Sequence, residues 1–171
     1  KPLHLMCGRP MVMHVIHALS LVDIDRTVVV VGHGAERVTK KVQEEAPGWA
    51  HVAFVEQTVQ RGTGDAAMVG MTAIPGDDLD DDSTIIVLPG DTPLLRAETL
   101  DELVTAHLAS GNAATAITSV LDDPTGYGRV LRAPSKHGDG RILQVIEHRD
   151  AIDEILAIRA QLAFGGLFGD L

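Results

Sequence analysis

The sequence predicts an α/β domain with a largely parallel sheet, and three observations point there. Helix-like and strand-like stretches alternate along the first 120 residues, the pattern of strands joined by helical crossovers. Thr27–Val31 is a continuous β-branched run closed by Gly32, as expected of a strand buried on both faces. The chain has 171 residues, 45% hydrophobic and 22% charged, ordinary figures for one globular domain.

The elements follow in order. Pro10 reads as the first position of a helix over residues 11–19, whose apolar residues recur at spacings of three and four. After the Thr27–Val31 strand comes a more polar helix over Ala35–Glu45, stopped at Pro47-Gly48. Residues 51–56 alternate like a second strand, residues 64–74 read as helix, and residues 84–88 form another apolar strand. Ala97–Ser110 gives a helix closed by Gly111, and residues 113–120 a further strand. From there the texture changes. Asp122-Asp123-Pro124-Thr125-Gly126-Tyr127-Gly128 is punctuated by proline and glycine and reads as a loop. Two strands are predicted beyond it, Arg129–Arg132 and residues 141–146, separated by a hairpin-like Lys136-His137-Gly138-Asp139-Gly140. No internal repeat or low-complexity linker divides the chain, so one domain is expected.

Charge excludes some functions. Fourteen basic against 24 acidic residues leave −10 at pH 7, so no basic face for nucleic acid is expected. Five aromatic residues supply no stacking platform for single strands. Between residues 77 and 82 five aspartates are interrupted only by Leu79, which reads as a solvated loop. The lone cysteine, Cys7, cannot form an internal disulfide and suits a reducing cytosol. No apolar stretch reaches the roughly 18 residues of a membrane span. Lys1-Pro2-Leu3 has no initiator methionine and no signal-peptide pattern, and reads as a chain entered midway.

Ligands of open α/β sheets bind beyond the carboxyl ends of the strands, and three clusters fall there. Gln57-Thr58-Val59-Gln60-Arg61-Gly62-Thr63-Gly64 joins a strand to a helix, where glycines permit close backbone approach and helix amides favour anions. An ordinary glycine turn is the equal alternative. In Leu88-Pro89-Gly90-Asp91-Thr92-Pro93-Leu94 a strand runs into a carboxylate at the sheet rim. Such an aspartate can hold Mg²⁺ beside phosphate oxygens, or merely cap the next turn. The third cluster joins Gly126-Tyr127-Gly128-Arg129 to Glu147-His148-Arg149-Asp150. Gly128 could let backbone reach a sugar and Glu147 could accept from its hydroxyls, with a salt bridge to a neighbouring arginine as the alternative. His14 and His17 lie three apart on a helix, but no carboxylate or cysteine completes a metal set. Gly-x-Ser-x-Gly, Cys-x-x-Cys and a Walker-type run are absent from the sequence.

Together these strings resemble a known family. Lys1-Pro2-Leu3-His4, Gly8-Arg9-Pro10-Met11, Gln57-x-x-Gln60-x-Gly62-Thr63-Gly64, Gly90-Asp91-x-Pro93-Leu94, Asp122 through Arg129 and Val145-Ile146-Glu147-His148 are similar to one bacterial group. It is the uridyltransferase domain of bifunctional N-acetylglucosamine-1-phosphate uridyltransferase/glucosamine-1-phosphate acetyltransferases. The match runs to about residue 155, and Leu121 through Arg129 is its most specific part.

The resemblance implies a Rossmann-like, GT-A-like three-layer nucleotidyltransferase fold with a small β insertion over residues 121–147. It implies transfer of uridylyl from UTP to N-acetylglucosamine 1-phosphate with Mg²⁺, in a cytoplasmic enzyme of peptidoglycan synthesis. By the same likeness Lys1 contacts phosphate, and Gln57, Gly62 and Thr63 bind the uracil side. Pro89 and Gly90 lie at the ribose, Asp91 is the Mg²⁺ ligand, and Gly128 and Glu147 contact the sugar. Catalysis would rest on Lys1 and Asp91. There are departures. The family's glycine-rich triphosphate loop has no counterpart, so the first βα unit is expected to be missing and the chain to be nearly inactive alone. Pro89 stands where many members carry Tyr or Ser. Gln161-Leu162-Ala163-Phe164-Gly165-Gly166 carries no asparagine where the family reads the acetamido sugar. The β-helix acetyltransferase domain, through which members form homotrimers, would lie beyond Leu171. The rivals are another sugar-1-phosphate nucleotidyltransferase and a non-catalytic remnant that binds nucleotide sugars.

Overall fold

A computed structural model of the chain describes residues 1–32, 34–76, 79, 83–132, 142–146, 150–152 and 161–164. The chain forms two compact units, Lys1–Asn112 and Ala113–Leu171.

The first unit opens on a hairpin that the sequence reading missed. β1 (Leu5–Met6) pairs antiparallel with β2 (Arg9–Pro10), in the register Leu5↔Pro10 and Met6↔Arg9. Cys7 at φ 50° and Gly8 at φ 80° make the two-residue turn, both in the left-handed region that suits the twist of a hairpin. A cysteine stands where asparagine or aspartate usually signals such a turn. The hairpin also corrects the helix start. Pro10 keeps an extended ψ of 143° in β2 and flanks the helix rather than opening it, so α1 is Met11–Ala18.

β3 (Thr27–Val31) and β4 (Val52–Glu56) pair in parallel from Thr27↔Val52 to Val31↔Glu56. The crossover between them is α2 (Ala35–Glu45), whose outer surface carries Lys40–Glu44 and Lys41–Glu45 ion pairs one helical turn apart. Val12, Met13 and Ile16 of α1 meet Val42 of α2 and Ala50 in the core, with Val29, Val52 and Phe54 packed against it. Of β3 only Val31 is buried, and Thr27 through Val30 are half-buried. The expected burial on both faces is met only at that end. Among the described residues β3 pairs with β4 alone, so no second neighbour shields its side chains.

α3 (Thr63–Met71) follows β4 and packs closely on the sheet, since a Cβ on Gly70 would lie 3.1 Å from Val30 Cγ2. The strand expected over residues 84–88 is not formed. Its apolar pattern is present, but a strand needs a ladder partner, and Ile85 is left exposed. α4 (Ala97–Ser110) ends as predicted at Gly111, whose φ of 61° places it in the left-handed helix cap.

In the second unit β5 (Ile117–Val120) pairs antiparallel with β8 (Gln161–Phe164), and β6 (Arg129–Arg132) with β7 (Ile142–Ile146). β6 and β7 are the predicted hairpin strands, while its predicted loop, residues 136–140, lies outside the described residues. β5 starts at Ile117, four residues later than expected. Parallel pairing is confined to β3 and β4 among the described residues, and the remaining pairs are antiparallel.

Candidate functional site

The sheet of the first unit places Gln57 at its carboxyl end. The Gln57 backbone N–H donates to the Val31 carbonyl at 2.8 Å, so the ladder continues one step past β4. The chain then loops to α3 through Gly62, at φ 110° and ψ −177°. That backbone region is essentially reserved for glycine. A Cβ there would meet no atom within 4 Å, so conformation rather than crowding demands the glycine. Across the loop a Cβ on Gly32 would lie 2.7 Å from Gln60 Nε2, so the Gln60 side chain rests on the end of β3.

No side chain caps the start of α3. The first amides of a helix lack intrahelical partners and favour anionic or polar ligands. Beside them the Gln57 side chain is fixed. Its Nε2 donates to Asp65 Oδ2 at 2.6 Å and to the Gly62 carbonyl at 3.4 Å. A cavity of about 210 Å³ opens here, with Gln57, Thr58, Arg61, Asp65 and Val69 among its walls. It is smaller than the roughly 300–1,000 Å³ of a whole-ligand pocket and suits one ring system. The structure thus joins Gln57 to the Gly62 carbonyl, with Thr63 next in the chain as the first residue of α3. It adds Asp65, which the sequence reading passed over. An acid in the first turn of a helix, three residues after Gly62, was the available signal.

Asp91 was expected at a sheet rim, but residues 84–88 form no strand, so it lies in a turn and not at a strand end. Pro89, Gly90 and Asp91 form a turn closed by Thr92 Oγ1, which donates to the Pro89 carbonyl at 3.0 Å. Asp91 is exposed, and among the described residues its carboxylate accepts no hydrogen bond, so the cap role is not formed. Gly90 has no positive φ, and a Cβ on it would meet nothing within 4 Å. Neither conformation nor packing calls for that glycine. Lys1 is exposed, and its carbonyl accepts the His4 amide at 2.8 Å. Lys1, Gly62, Thr63, Pro89, Gly90 and Asp91 are not among the walls of the cavity. No group of three possible metal ligands exists among the described residues. One free carboxylate is still the donor that a hard cation takes when substrate phosphates supply its other oxygens, so Asp91 fits Mg²⁺ of that kind.

In the second unit the loop before β6 meets part of its polar need from within, while Arg129 Nε is buried without a partner among the described residues. Asp123 Oδ1 accepts the Thr125 amide at 3.0 Å, and the Tyr127 amide donates to the Pro124 carbonyl at 3.1 Å. Hydrogen bonds from the Thr125 side chain, then from its amide, hold the Asp123 carboxyl below the usual range. Arg129 is 3% exposed and sends its guanidinium to the carbonyls of Pro124 and Tyr127. Gly128 is half-buried in this loop. Glu147, His148 and Arg149 lie outside the described residues, as do the predicted contacts of Glu147.

His14 and His17 do not act as a pair. His14 Nε2 donates to the Met6 carbonyl at 3.0 Å, and His17 meets the Trp49 ring edge-on with centroids 6.5 Å apart. Burial first, then Arg9 and His14, push the His17 pKa down. No described helix is long and apolar enough to cross a membrane.

A parallel strand pair running to an uncapped helix is the arrangement of Rossmann-like α/β folds, and solved structures agree on the fold. HddC from Yersinia pseudotuberculosis complexed with GMP-PN superposes with a TM-score of 0.63 at 18% identity, over 98% of this chain and 63% of that one. UDP-glucose pyrophosphorylase complexed with UDP-glucose gives 0.68 at 13% identity, over 96% and 65%. At such identities the likeness speaks to fold alone. The chain belongs to the family described as MobA-like NTP transferase domain, which it matches over residues 1–161. It is 40% identical to the bifunctional protein GlmU of Thermobifida fusca (strain YX) over 158 residues, 92% of this chain and 31% of that protein. The GlmU of Streptomyces coelicolor is 42% identical over 159 residues, 93% and 31%. The resemblance read from the motifs is thereby established, and the chain spans about a third of the length of these relatives.

Proposed function

We propose that this chain is the sugar nucleotidyltransferase part of a longer protein. Its reaction is transfer of uridylyl from UTP to N-acetylglucosamine 1-phosphate, giving UDP-N-acetylglucosamine and pyrophosphate. The observation that carries the reading is the junction where Gln57 and Arg61 wall a cavity at the uncapped start of α3. Identity of about 40% to GlmU proteins supports the choice of substrates.

In this reading Gln57, the Gly62 backbone and Thr63 hold the uracil, while Pro89 and Gly90 flank the ribose. A phosphate oxygen of the sugar phosphate attacks the α-phosphorus of UTP in line, the bond to the β-phosphate oxygen breaks, and pyrophosphate leaves. Such a displacement needs orientation and charge neutralisation more than a protein nucleophile. Lys1 would contact phosphate, and Gly128 and Glu147 the sugar. Asp91 would hold Mg²⁺, whose charge offsets that of the phosphates.

Two features support a first βα unit outside this chain. In the doubly wound order 3-2-1-4, strand 1 lies between strands 2 and 4. β3 and β4 take places 2 and 3, and residues 84–88 take place 4. A strand in place 1 would pair both the open edge of β3 and the unpaired 84–88 segment. The relatives' greater length supports an acetyltransferase domain elsewhere in the protein, with a trimer formed through it. The lone Cys7 fits a cytoplasmic setting.

Pyrophosphate release tests the proposal. The full-length protein with Mg²⁺ is expected to turn over UTP and N-acetylglucosamine 1-phosphate, and the 171-residue chain to show little or no turnover. Faster turnover with another sugar 1-phosphate would overturn the assigned sugar. A second reading, in which the sugar is glucose 1-phosphate, is favoured by the absence of asparagine over residues 161–166.

A further inference from the structure

Asp65 is a charged side chain that touches a proposed substrate-binding group, accepting one hydrogen bond from Gln57 Nε2. Gln57 can present either end of its amide to a ligand, an oxygen that accepts or a nitrogen that donates. Here the choice is already made. A carboxylate only accepts, so the atom 2.6 Å from Asp65 Oδ2 must be the amide nitrogen. The same nitrogen faces the Gly62 carbonyl at 3.4 Å, another pure acceptor. Both of its hydrogens are therefore directed at the protein. Among the described residues nothing donates to Gln57 Oε1, and Gln57 and Asp65 both wall the cavity at this junction.

We infer that Asp65 is a positioning residue that locks the Gln57 amide with its oxygen toward the ligand, so that the site selects a pyrimidine whose ring N3 carries a hydrogen. Uracil carries an N–H donor at N3, whereas cytosine presents a bare nitrogen acceptor there. Turning the amide to suit cytosine would set Oε1 against the Asp65 carboxylate, two acceptors in contact, and would strip the charged oxygen of its hydrogen bond. The helix anchors the lock, because Asp65 sits in the first turn of α3, where a negative charge is favourable. This inference rests on the proposal that Gln57 meets the base. It adds a residue outside that contact and a reason for the choice of nucleotide.

The test is equilibrium binding of UTP and CTP with Mg²⁺ to the full-length protein and to its Asp65→Asn and Gln57→Leu variants, with melting temperatures recorded. Asparagine keeps the shape of Asp65 but can accept or donate, so the Gln57 amide becomes free to turn. The unaltered protein is expected to prefer UTP by roughly ten- to a hundred-fold, the scale of one buried hydrogen-bond mismatch. In Asp65→Asn the preference should fall to about threefold or less, with CTP binding improved in absolute terms. A structural defect would weaken both nucleotides together and leave their ratio unchanged. An Asp65→Asn variant that keeps the full UTP preference, while Gln57→Leu loses it, overturns the role of Asp65 and leaves the nucleotide site standing. If the unaltered protein does not bind UTP, or Gln57→Leu leaves UTP binding unchanged, the site itself is wrong and the inference fails with it.

Discussion

Two glycine-bearing loops, residues 57–65 in the first unit and residues 122–129 in the second, solve the same backbone problem in opposite ways. The second closes on itself, with Asp123 on the Thr125 amide and the buried Arg129 guanidinium on the Pro124 and Tyr127 carbonyls. Its glycine at positive φ, Gly126, sits in a turn held by the Tyr127 amide on the Pro124 carbonyl, although Arg129 Nε is buried without a partner among the described residues. The first keeps groups in reserve. Gly62 holds a conformation that glycine alone adopts readily, α3 starts without a cap, and Gln57 Oε1 has no donor among the described residues. Gly62, Thr63 and Gly64 are exposed, so these groups meet water in the free protein and are open to a ligand. The difference separates a loop built for stability from one built for binding.

The largest effect is expected where that self-sufficiency is removed. Arg129→Met strips two carbonyls of a buried cationic donor and should destabilise the protein by about 3 kcal/mol. Urea denaturation would show it, with UTP affinity close to that of the unaltered chain. Gly62→Ala forces a side chain into backbone space that alanine avoids and should cost about 2 kcal/mol. Here nucleotide affinity should fall together with stability. Gly90→Ala sharpens the contrast, since no strain or crowding opposes it. Its urea midpoint should be unchanged while UTP affinity drops several-fold, as read by calorimetric titration. Gly111→Ala calibrates the scale, because it has positive φ and no proposed ligand role. It should cost about 1 kcal/mol in stability and nothing in binding.

The smallest effect is a pH dependence of the second loop. Its folded state holds the Asp123 carboxyl below the ordinary value, so the ionised form favours folding. That contribution is complete above the unfolded pKa of about 3.9 and is lost as the pH falls through the lower folded value. Asp123→Asn should flatten the acid limb of a stability profile below about pH 4 without changing stability differences nearer neutrality between other variants. The exposure of the carboxylate keeps this effect slight.

What could be read from the sequence was local. Thr27–Val31, Ala35–Glu45, Ala97–Ser110 and Arg129–Arg132 were predicted with their observed bounds, because side-chain period and end signals lie within each segment. The failures were relational. Residues 84–88 have the composition of a strand but lack a partner among the described residues, and pairing is not a property of the segment itself. Pro10 looked like a helix opener until its pairing with Leu5 held it extended. At the site, glycines and Gln57 stood out by motif, whereas Asp65 emerged only when the fold brought it 2.6 Å from the Gln57 amide eight residues away. The placement of Glu147 lies outside the described residues, so its role stays a proposal.

Amide hydrogen exchange with and without UTP and Mg²⁺ tests the contrast between the two loops most directly. Binding should slow exchange across residues 58–66 and leave residues 123–127 as they were. Protection confined to residues 123–127, or none at 58–66 under saturating UTP, would contradict the assignment of the first loop as the nucleotide site.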